Sequence, residues 1–325
     1  MRYAAFEFEC EWHDDFTMPP FPGSMLRGAL CMAFRRLVCV IRKQTCEECL
    51  LKRQCLYSVT FEPLPPQNKR INLSSTPHPY LIEWSSEISG PHRKGQTFRF
   101  SLVLIGDFIR KLPYFVYAVQ QMGETGLGRA NDRNERKRFS LLNVYCQNEQ
   151  LYNAQENSLP AEIPSREMTY PPARSCDVET VSRVKIDLET PLRVKHNGRF
   201  VSRFDFPVLV QAALRRVRAL WSCYAKEDID IDTNRIMNQA RTIQLIRDDT
   251  KWTEQIRFSN RQRTKMNMDG VTGSLLFEGN FARLIPLMQM AEPFHIGKST
   301  SFGLGKFRLD RCGKESAQDQ PHHMG

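Results

Sequence analysis

A histidine, a glycine and a lysine lie close together near the end of this chain of 325 residues. His295 stands two residues before Gly297 and three before Lys298. Imidazole titrates near neutral pH and can take a proton from a hydroxyl group. Glycine lets backbone amides approach an anion closely, and lysine adds fixed positive charge. The spacing predicts acid–base chemistry beside a phosphate, with His295 and Lys298 as candidate catalytic residues; a histidine that only packs or makes contacts is the alternative.

Two further histidines are candidates for the same proton transfer. His78 lies between two prolines, directly before a strand-like segment, and is the second candidate. His13 ends the first strand-like segment and is the third. His322 and His323 fall in a polar tail, so we discount them.

Four cysteines follow the pattern Cys-x6-Cys-x2-Cys-x5-Cys: Cys39, Cys46, Cys49 and Cys55. A Cys-x2-Cys pair flanked by two further thiols is typical of a tetrahedral structural metal site. Zinc is the first expectation, and an iron–sulfur cluster is the alternative with a less typical spacing. Unrelated core thiols would give the same count. A metal here would hold the loop after the first helix.

An internal repeat supplies the elements that position these residues. Residues 101–118 and 274–291 align without a gap and are identical at seven positions. Each segment runs into a glycine-rich loop with a basic end and then into a strand-like segment. The repeated unit is therefore strand, glycine turn, helix, glycine-rich loop and strand.

The segments before the two repeated units also correspond. Residues 2–9 and 181–188 alternate like strands with one buried face, and apolar stripes at helical spacing follow over 25–41 and 208–221. Both halves have the order of a ferredoxin-like (RRM-like) domain. We expect an α+β protein of tandem ferredoxin-like domains with antiparallel sheets, each ending in a glycine-rich loop and a strand.

The domain boundaries are predicted from the repeat and from composition. A stretch rich in Asn, Glu and Pro separates the two halves. The predicted parts are an N-terminal domain over 1–148 with the cysteine cluster at 39–55, a junction over 149–176, a C-terminal domain over 177–312 with the terminal glycine-rich loop, and a polar tail over 313–325.

The glycine-rich loops are suited to binding a phosphate backbone, because runs of backbone amides form anion-binding concavities. The glycine spacing and the helix-to-strand order exclude a Walker A loop and a dinucleotide fingerprint. A glycine-rich turn without a ligand is the alternative. The predicted contacts are Gly297, Ser299, Thr300, Gly303, Gly305 and Lys306 in the terminal loop and Arg129 at the end of the first.

The net charge of +10 and the isoelectric point near 9.2 predict a polyanionic partner. Residues 256–266 mix arginines with Phe, Ser, Asn and Gln, which suits phosphates, base edges and stacking. A solvated basic surface is the alternative. The predicted contacts in this segment are Arg257, Arg261, Gln262 and Arg263.

The sequence predicts a soluble, cytoplasmic protein without a membrane partner. No apolar run approaches the length of a membrane span, and the N-terminal residues lack the apolar core of a signal peptide. The ten cysteines follow no paired secretory pattern, which indicates a reducing compartment.

The chain resembles the RAMP superfamily, and within it the CRISPR-associated endoribonucleases that process precursor crRNA. Residues 292–309, EPFHIGKSTSFGLGKFRL, are similar to the glycine-rich signature that closes the last RAMP domain. Four further segments agree in the same order: PFPGSMLRGALCMAFRRL, TPHPYLIE, TPLRVKHNGRF and RFSNRQRTKMNMDGVTG. The resemblance spans nearly the whole chain, apart from the junction and the tail.

The resemblance implies metal-independent cleavage of RNA within a CRISPR repeat, with the crRNA often held afterwards. The ribose 2′-OH attacks the adjacent phosphate, which gives a 2′,3′-cyclic phosphate and a free 5′-OH. A base takes the 2′ proton, an acid protonates the leaving oxygen and a cation stabilises the phosphorane. This chemistry needs no cofactor, so a metal at the cysteines would be structural.

One feature departs from the family pattern. The catalytic histidine of this family commonly lies in or just after the first helix of the N-terminal half, and residues 25–41 contain none. The alternative function is a non-catalytic crRNA-binding RAMP subunit that has other CRISPR effector subunits as partners. Two complete halves without a long inserted segment favour the processing enzyme.

Overall fold

The computed structural model of the protein describes residues 1–41, 44–65, 75–128, 136–170, 181–196, 198–259 and 264–312. The chain divides into two compact units. The first comprises Met1–Thr169, Val217–Ile229 and Ser299–Gly303, and the second comprises the rest of the chain. Among the described residues, no helix is both long and apolar enough to cross a membrane.

The first unit is built on an antiparallel sheet with the strand order β3-β5-β1-β6-β7, and β8 pairs with the N-terminal end of β1. Its elements are β1 (Arg2–Trp12), β2 (Phe16–Met18), α1 (Gly23–Val38), α2 (Leu56–Phe61), β3 (Tyr80–Trp84), β4 (Gly90–His92), β5 (Thr97–Ile105), α3 (Leu112–Thr125), β6 (Phe139–Cys146), β7 (Glu149–Asn153) and β8 (Arg166–Glu167). The order of the four main strands and the two long helices between them are those of a ferredoxin-like domain.

Alternation along β1 explains why the first sheet has one buried face. Phe6, Phe8 and Trp12 are fully buried, and the glutamates between them point to the other face. Helices α1 and α3 cover the buried face with apolar residues such as Phe34 and Phe115, whose rings lie 5.0 Å apart. The core is therefore a layer of helices on a layer of sheet.

The second unit repeats this plan with the strand order β12-β15-β9-β16. Its elements are β9 (Arg183–Leu192), β10 (Lys195–His196), β11 (Arg199–Phe200), α4 (Phe206–Tyr224, of which the part from Val217 is grouped with the first unit), α5 (Thr233–Ala240), β12 (Gln244–Thr253), β13 (Ile256–Ser259), β14 (Thr264–Asn267), β15 (Gly270–Glu278), α6 (Leu284–Ala291) and β16 (Phe307–Cys312). All strand pairs of its main sheet are antiparallel.

The predicted fold class is confirmed, since each unit has an antiparallel sheet with the ferredoxin-like strand order. The first unit extends beyond the predicted boundary at residue 148. Strands β7 and β8 lie in the predicted junction but pair with the first sheet. Gln147 and Asn148 have positive φ and form the tight turn that returns the chain as β7, which composition alone does not show.

Candidate functional site

The first unit brings together Arg27 of α1 and His78, which lies two residues before β3. One Nη of Arg27 lies 2.9 Å from Nε2 of His78. A guanidinium can only donate, so Nε2 of His78 accepts and carries no proton. A half-buried imidazole with an unprotonated ring nitrogen can act as a general base once Arg27 releases that nitrogen.

Aromatic rings border the pair formed by Arg27 and His78. The Cζ of Arg27 lies 4.4 Å from the centroid of the Phe302 ring, within the range of a cation–π interaction. The Tyr80 ring lies 5.8 Å from that of His78. Burial raises the pKa of Tyr80, and the nearby Arg27 lowers it by less, so the phenol stays protonated. Nε of Arg27 is buried and has no hydrogen-bond partner among the described residues.

The backbone around His78 is fixed on both sides. The hydroxyl of Tyr224 donates to the carbonyl of Pro77. The amide of Ile105 donates to the carbonyl of Pro79 at 2.9 Å. Because both neighbours are hydrogen-bonded, the imidazole is held near Arg27 by the fold.

Two glycines explain how Phe302 reaches Arg27. A Cβ at Gly23 would lie 2.0 Å from the carbonyl oxygen of Phe302. A Cβ at Gly303, which has φ of +86°, would lie 2.6 Å from Nε1 of Trp84. Only glycine at both positions lets residues 299–303 pack this closely on α1 and β3.

The remaining loop glycines of the second unit also serve close packing. A Cβ at Gly305 would lie 1.8 Å from the carbonyl oxygen of Ile296, and one at Gly297 would lie 2.6 Å from that of Arg193. Several loop amides donate within the chain, which leaves fewer for a phosphate than the sequence predicts. These are the amides of Lys298, Phe302, Gly303, Gly305 and Lys306.

His295 is fully buried, with φ of +57°, and its Nδ1 lies 3.2 Å from the carbonyl oxygen of Leu304. The side chain of Lys298 is exposed, whereas Lys306 forms an ion pair with Glu189 at 3.4 Å. The structure therefore exposes Lys298 but not His295. His13 is exposed, and its Nε2 lies 2.8 Å from Oγ of Ser140.

The second unit carries an exposed basic surface at the hairpin β10–β11. Phe200 is 39% exposed and is contacted by Arg193, 4.5 Å from the ring centroid, and by Lys195 at 5.1 Å. Burial lowers the pKa of Arg193, whose Nη1 donates to the carbonyl of Asn267. Arg199 and Arg203 are also exposed. A polyanion with bases is the ligand that such a surface suits.

Several predicted contacts lie outside the described residues: Arg129, Arg261, Gln262 and Arg263. Arg257 lies in β13, paired in register with Met266 of β14. The predicted basic segment is thus a hairpin in its described part.

The open face of the first sheet is acidic. Glu9 accepts hydrogen bonds from Arg99, Asn143 and Tyr145 at 2.5 to 3.2 Å, and Glu7 pairs with Arg99. RRM domains stack bases on this face of the sheet. Carboxylates there repel a phosphate backbone, so this face is a poor RNA surface.

The four cysteines lie around the connection between α1 and α2. Cys39, Cys49 and Cys55 line a cavity of about 380 Å³. In the part of the chain that the structure describes, however, no three His, Cys, Asp or Glu side chains are grouped closely enough to hold a metal ion. Four thiols are the number and type of donors that structural zinc prefers, but their spacing in the described structure does not fit a metal ion. The metal site therefore stays a prediction.

The sequence predicted His78 but missed Arg27, Phe302 and Phe200. Arg27 lies one turn into α1 between apolar residues, which was a usable signal. Phe302 and Phe200 lie in segments that were singled out for their glycines and cations. Phe200 directly follows Arg199, which could have indicated it, whereas Phe302 has no cation within three positions in the sequence.

Two family models match the chain. Residues 1–164 match AF_1859_N, an N-terminal domain family, and residues 186–307 match the CRISPR-associated endoribonuclease Cas6. An uncharacterized protein of Archaeoglobus fulgidus is 20% identical over 302 residues, which cover 90% of this chain and 93% of the relative.

Solved Cas6 structures share the fold. Thermus thermophilus Cas6 matches with a TM-score of 0.51 and 11% sequence identity, and the match covers 94% of this chain and 98% of that one. A Cas6 product complex matches with a TM-score of 0.52 and 12% identity, and covers 94% of this chain and 99% of its own. A chain of a partial Cas6-RT-Cas1–Cas2 complex matches with a TM-score of 0.54 and 10% identity, and the match covers 97% of this chain and 47% of that one. With a ferredoxin-like strand order in each unit, the chain belongs to the AF_1859_N family, and its residues 186–307 are similar to the CRISPR-associated endoribonuclease Cas6.

Proposed function

We propose that the protein is a metal-independent endoribonuclease that cuts precursor crRNA within the CRISPR repeat. The observation that carries the proposal is the contact of 2.9 Å between Arg27 and the unprotonated Nε2 of His78. In this proposal His78 takes the 2′ proton and Arg27 binds the scissile phosphate. His295 is less suited to the first role because it is fully buried.

The proposed reaction uses the two side chains in sequence. An incoming phosphate competes with His78 for the guanidinium, because an arginine pairs strongly with a dianionic or monoanionic oxygen pair. The lone pair of Nε2 is then free to accept the 2′ proton. The O2′–P bond forms, the P–O5′ bond breaks, and the leaving O5′ takes a proton from water. The ends are a 2′,3′-cyclic phosphate and a 5′-OH.

RNA binding is supported by the second unit. Lys195, Arg199, Arg203 and Lys298 are exposed, and Phe200 offers a partly exposed ring next to Lys195. The cations neutralise phosphates and the ring can stack on a base. We propose that this surface binds the repeat RNA and that the product is retained after cleavage.

A non-catalytic crRNA-binding subunit is the second candidate function. It is favoured by the contact itself, since Arg27 occupies the nitrogen that a base would use. The similarity to a Cas6 within a Cas6-RT-Cas1–Cas2 complex supports other CRISPR proteins as partners. In this case the chain binds the repeat and leaves it intact.

A single assay distinguishes the two candidate functions. The full chain is incubated with end-labelled RNA of the host's CRISPR repeat in excess EDTA, together with a copy that carries one 2′-deoxy sugar at the cut position. The endoribonuclease gives one internal cut with a cyclic phosphate end, and the 2′-deoxy copy stays intact. Tight binding of both RNAs without product would establish the binding subunit instead.

A further inference from the structure

One face of the first unit exposes several large apolar side chains. They lie at the end of α1, in the connection between α1 and α2 and at the start of α3, and we call them the apolar patch: Leu37, Val40, Ile41, Leu50, Leu51 and Tyr114. Leu50 is 96% exposed and Val40 is 80% exposed. A contiguous apolar patch is uncommon on monomeric proteins and usually marks an interaction surface.

The apolar patch is contiguous because most of its members line one cavity. The cavity has a volume of about 380 Å³, and every member of the patch except Leu50 contributes to its lining. Further aliphatic side chains and thiols complete the lining, and among the described residues no charged side chain takes part in it. An apolar side chain is therefore the occupant that this cavity suits.

Leu50 lies at the edge of this cavity with its side chain in solvent. Its neighbours Cys49 and Leu51 both line the cavity, whereas Leu50 does not. The patch thus combines an apolar side chain that projects into solvent with an apolar cavity beside it. A surface with both features can bind a second copy of itself about a two-fold axis, with the leucine of each chain in the cavity of the other.

The charged residues beside the patch also fit a second copy. Glu47 and Glu48 precede Leu50 in the chain, Arg53 follows it, and all three are exposed. A two-fold axis near Leu50 brings the acidic residues of one chain toward Arg53 of the other. A polyanion or an anionic membrane surface suits the patch less well, because it would meet the two carboxylates as like charges.

The parts of this chain that lie outside the described residues are poor occupants for an apolar surface. Their sequences are rich in polar and charged residues, as in PQNKRINLS (66–74), RANDRNE (129–135) and GKESAQDQPHHMG (313–325). Such segments gain little by leaving water. A second folded chain, which carries its own Leu50, is the better partner.

We propose that the apolar patch is the interface of a homodimer in which Leu50 of each chain enters the cavity of the other. Burial of Leu50 and Val40, the two most exposed members of the patch, stabilises the association. Because each chain supplies one leucine and one cavity on the same surface, the assembly closes at two chains. The proposal stands independently of RNA cleavage.

Sedimentation equilibrium of the full chain, purified free of nucleic acid, tests the proposal. We expect the dimer to predominate at about 10 µM and above. It should persist in about 1 M NaCl, because salt screens charge contacts and leaves apolar contacts intact. Monomer at every concentration up to about 100 µM would overturn the proposal. Species that grow beyond two chains, or a dimer that dissociates in high salt, would overturn it as well.

Replacement of Leu50 locates the interface. Leu50→Asp places a charge on the side chain that enters the cavity, and we expect it to weaken dimerisation by about 10²-fold. The fold should be retained, which circular dichroism checks, because Leu50 is almost wholly in solvent within one chain. The matched control is Ile246→Asp, an exposed apolar residue of β12, which should dimerise like the wild type. An unchanged dimerisation constant in L50D would contradict the proposed interface.

A charge exchange tests the two-fold arrangement. The variant E47K/E48K makes the region around Leu50 basic, and Arg53→Glu makes it acidic. At low salt each variant alone should dimerise about 10-fold more weakly than the wild type, and a mixture of the two should associate more tightly than either alone. A mixture that associates no more tightly than the separate variants would exclude an axis near Leu50.

Discussion

At the candidate site one arginine contacts an imidazole and an aromatic ring, which restrict its conformations. Arg27 donates to His78 and stacks on Phe302. Fifty-one positions separate Arg27 from His78 in the chain, so no local spacing could have predicted their contact. His78 itself was predictable as a histidine before a strand. The burial of His295 was not, because its neighbours Gly297 and Lys298 are equally consistent with an open loop.

Replacement of Arg27 by lysine tests the role of the guanidinium. Arg27→Lys keeps the positive charge but loses the planar fork that binds two phosphate oxygens. We expect the single-turnover cleavage rate to fall by about 10²-fold, as for loss of a preorganised donor to the transition state. RNA affinity, measured by fluorescence anisotropy, changes far less. An unchanged rate would remove Arg27 from the reaction.

Glu9 links stability to pH. Burial alone would raise its pKa, but the hydrogen bonds of Asn143, Arg99 and Tyr145 hold that pKa below the usual 4.5. A lowered folded-state pKa stabilises the fold above the unfolded pKa, and this contribution is lost as the pH falls through the folded value. We expect Glu9→Gln to lower the free energy of unfolding near neutral pH and to weaken its acid dependence. Urea denaturation at several pH values measures both, and an equal loss at all pH values would contradict the argument.

At the scale of elements, alternation and helical spacing were enough to predict both sheets and the long helices. The same patterns could not show β7 and β8, because short edge strands such as Glu149–Asn153 are polar and lie in a stretch that resembles a linker. The sequence predicted the glycine-rich loop as an anion-binding site. In the structure, its glycines instead permit close packing of the loop against neighbouring backbone. Gly305 and Gly303 each approach a neighbouring residue too closely for a Cβ.

Gly303 tests whether this packing positions the site. In Gly303→Ala the new Cβ meets Trp84, so Phe302 must leave Arg27. We expect a loss of about 1–3 kcal/mol in the free energy of unfolding and a lower cleavage rate. The matched control is Gly95→Ala, where φ is also positive at +82° but nothing lies within 4 Å of the added Cβ. Equal effects of the two substitutions would show that backbone strain, and not contact with Trp84, is responsible.

At the scale of the whole molecule, the net charge of +10 predicts a polyanionic partner but cannot identify the surface that would bind it. The open face of the first sheet carries Glu7 and Glu9, whereas exposed cations gather around the β10–β11 hairpin. The tandem ferredoxin-like fold was predictable because the sequence repeats its own order of elements. The positions of the candidate functional residues were not predictable in the same way, because they depend on contacts between segments that are distant in the sequence.

Charge reversal distinguishes an exposed cation from a paired one. Lys298→Glu is expected to weaken repeat RNA binding and to reduce the slope of log affinity against log salt by about 1 or more, because a phosphate contact is lost. Lys306, paired with Glu189, is expected to contribute less, so K306E is the comparison. Anisotropy titrations at several salt concentrations measure the slopes. Unchanged affinity in K298E would exclude this surface.

The most direct measurement of the central claim is single-turnover cleavage of repeat RNA by His78→Ala in EDTA, with and without added imidazole. If His78 takes the 2′ proton, the rate falls by about 10²–10⁴-fold while RNA affinity is retained, and imidazole restores part of it. His13→Ala removes an exposed histidine of the same unit and is expected to cut normally. Cleavage by His78→Ala at the wild-type rate would contradict the assignment of this site.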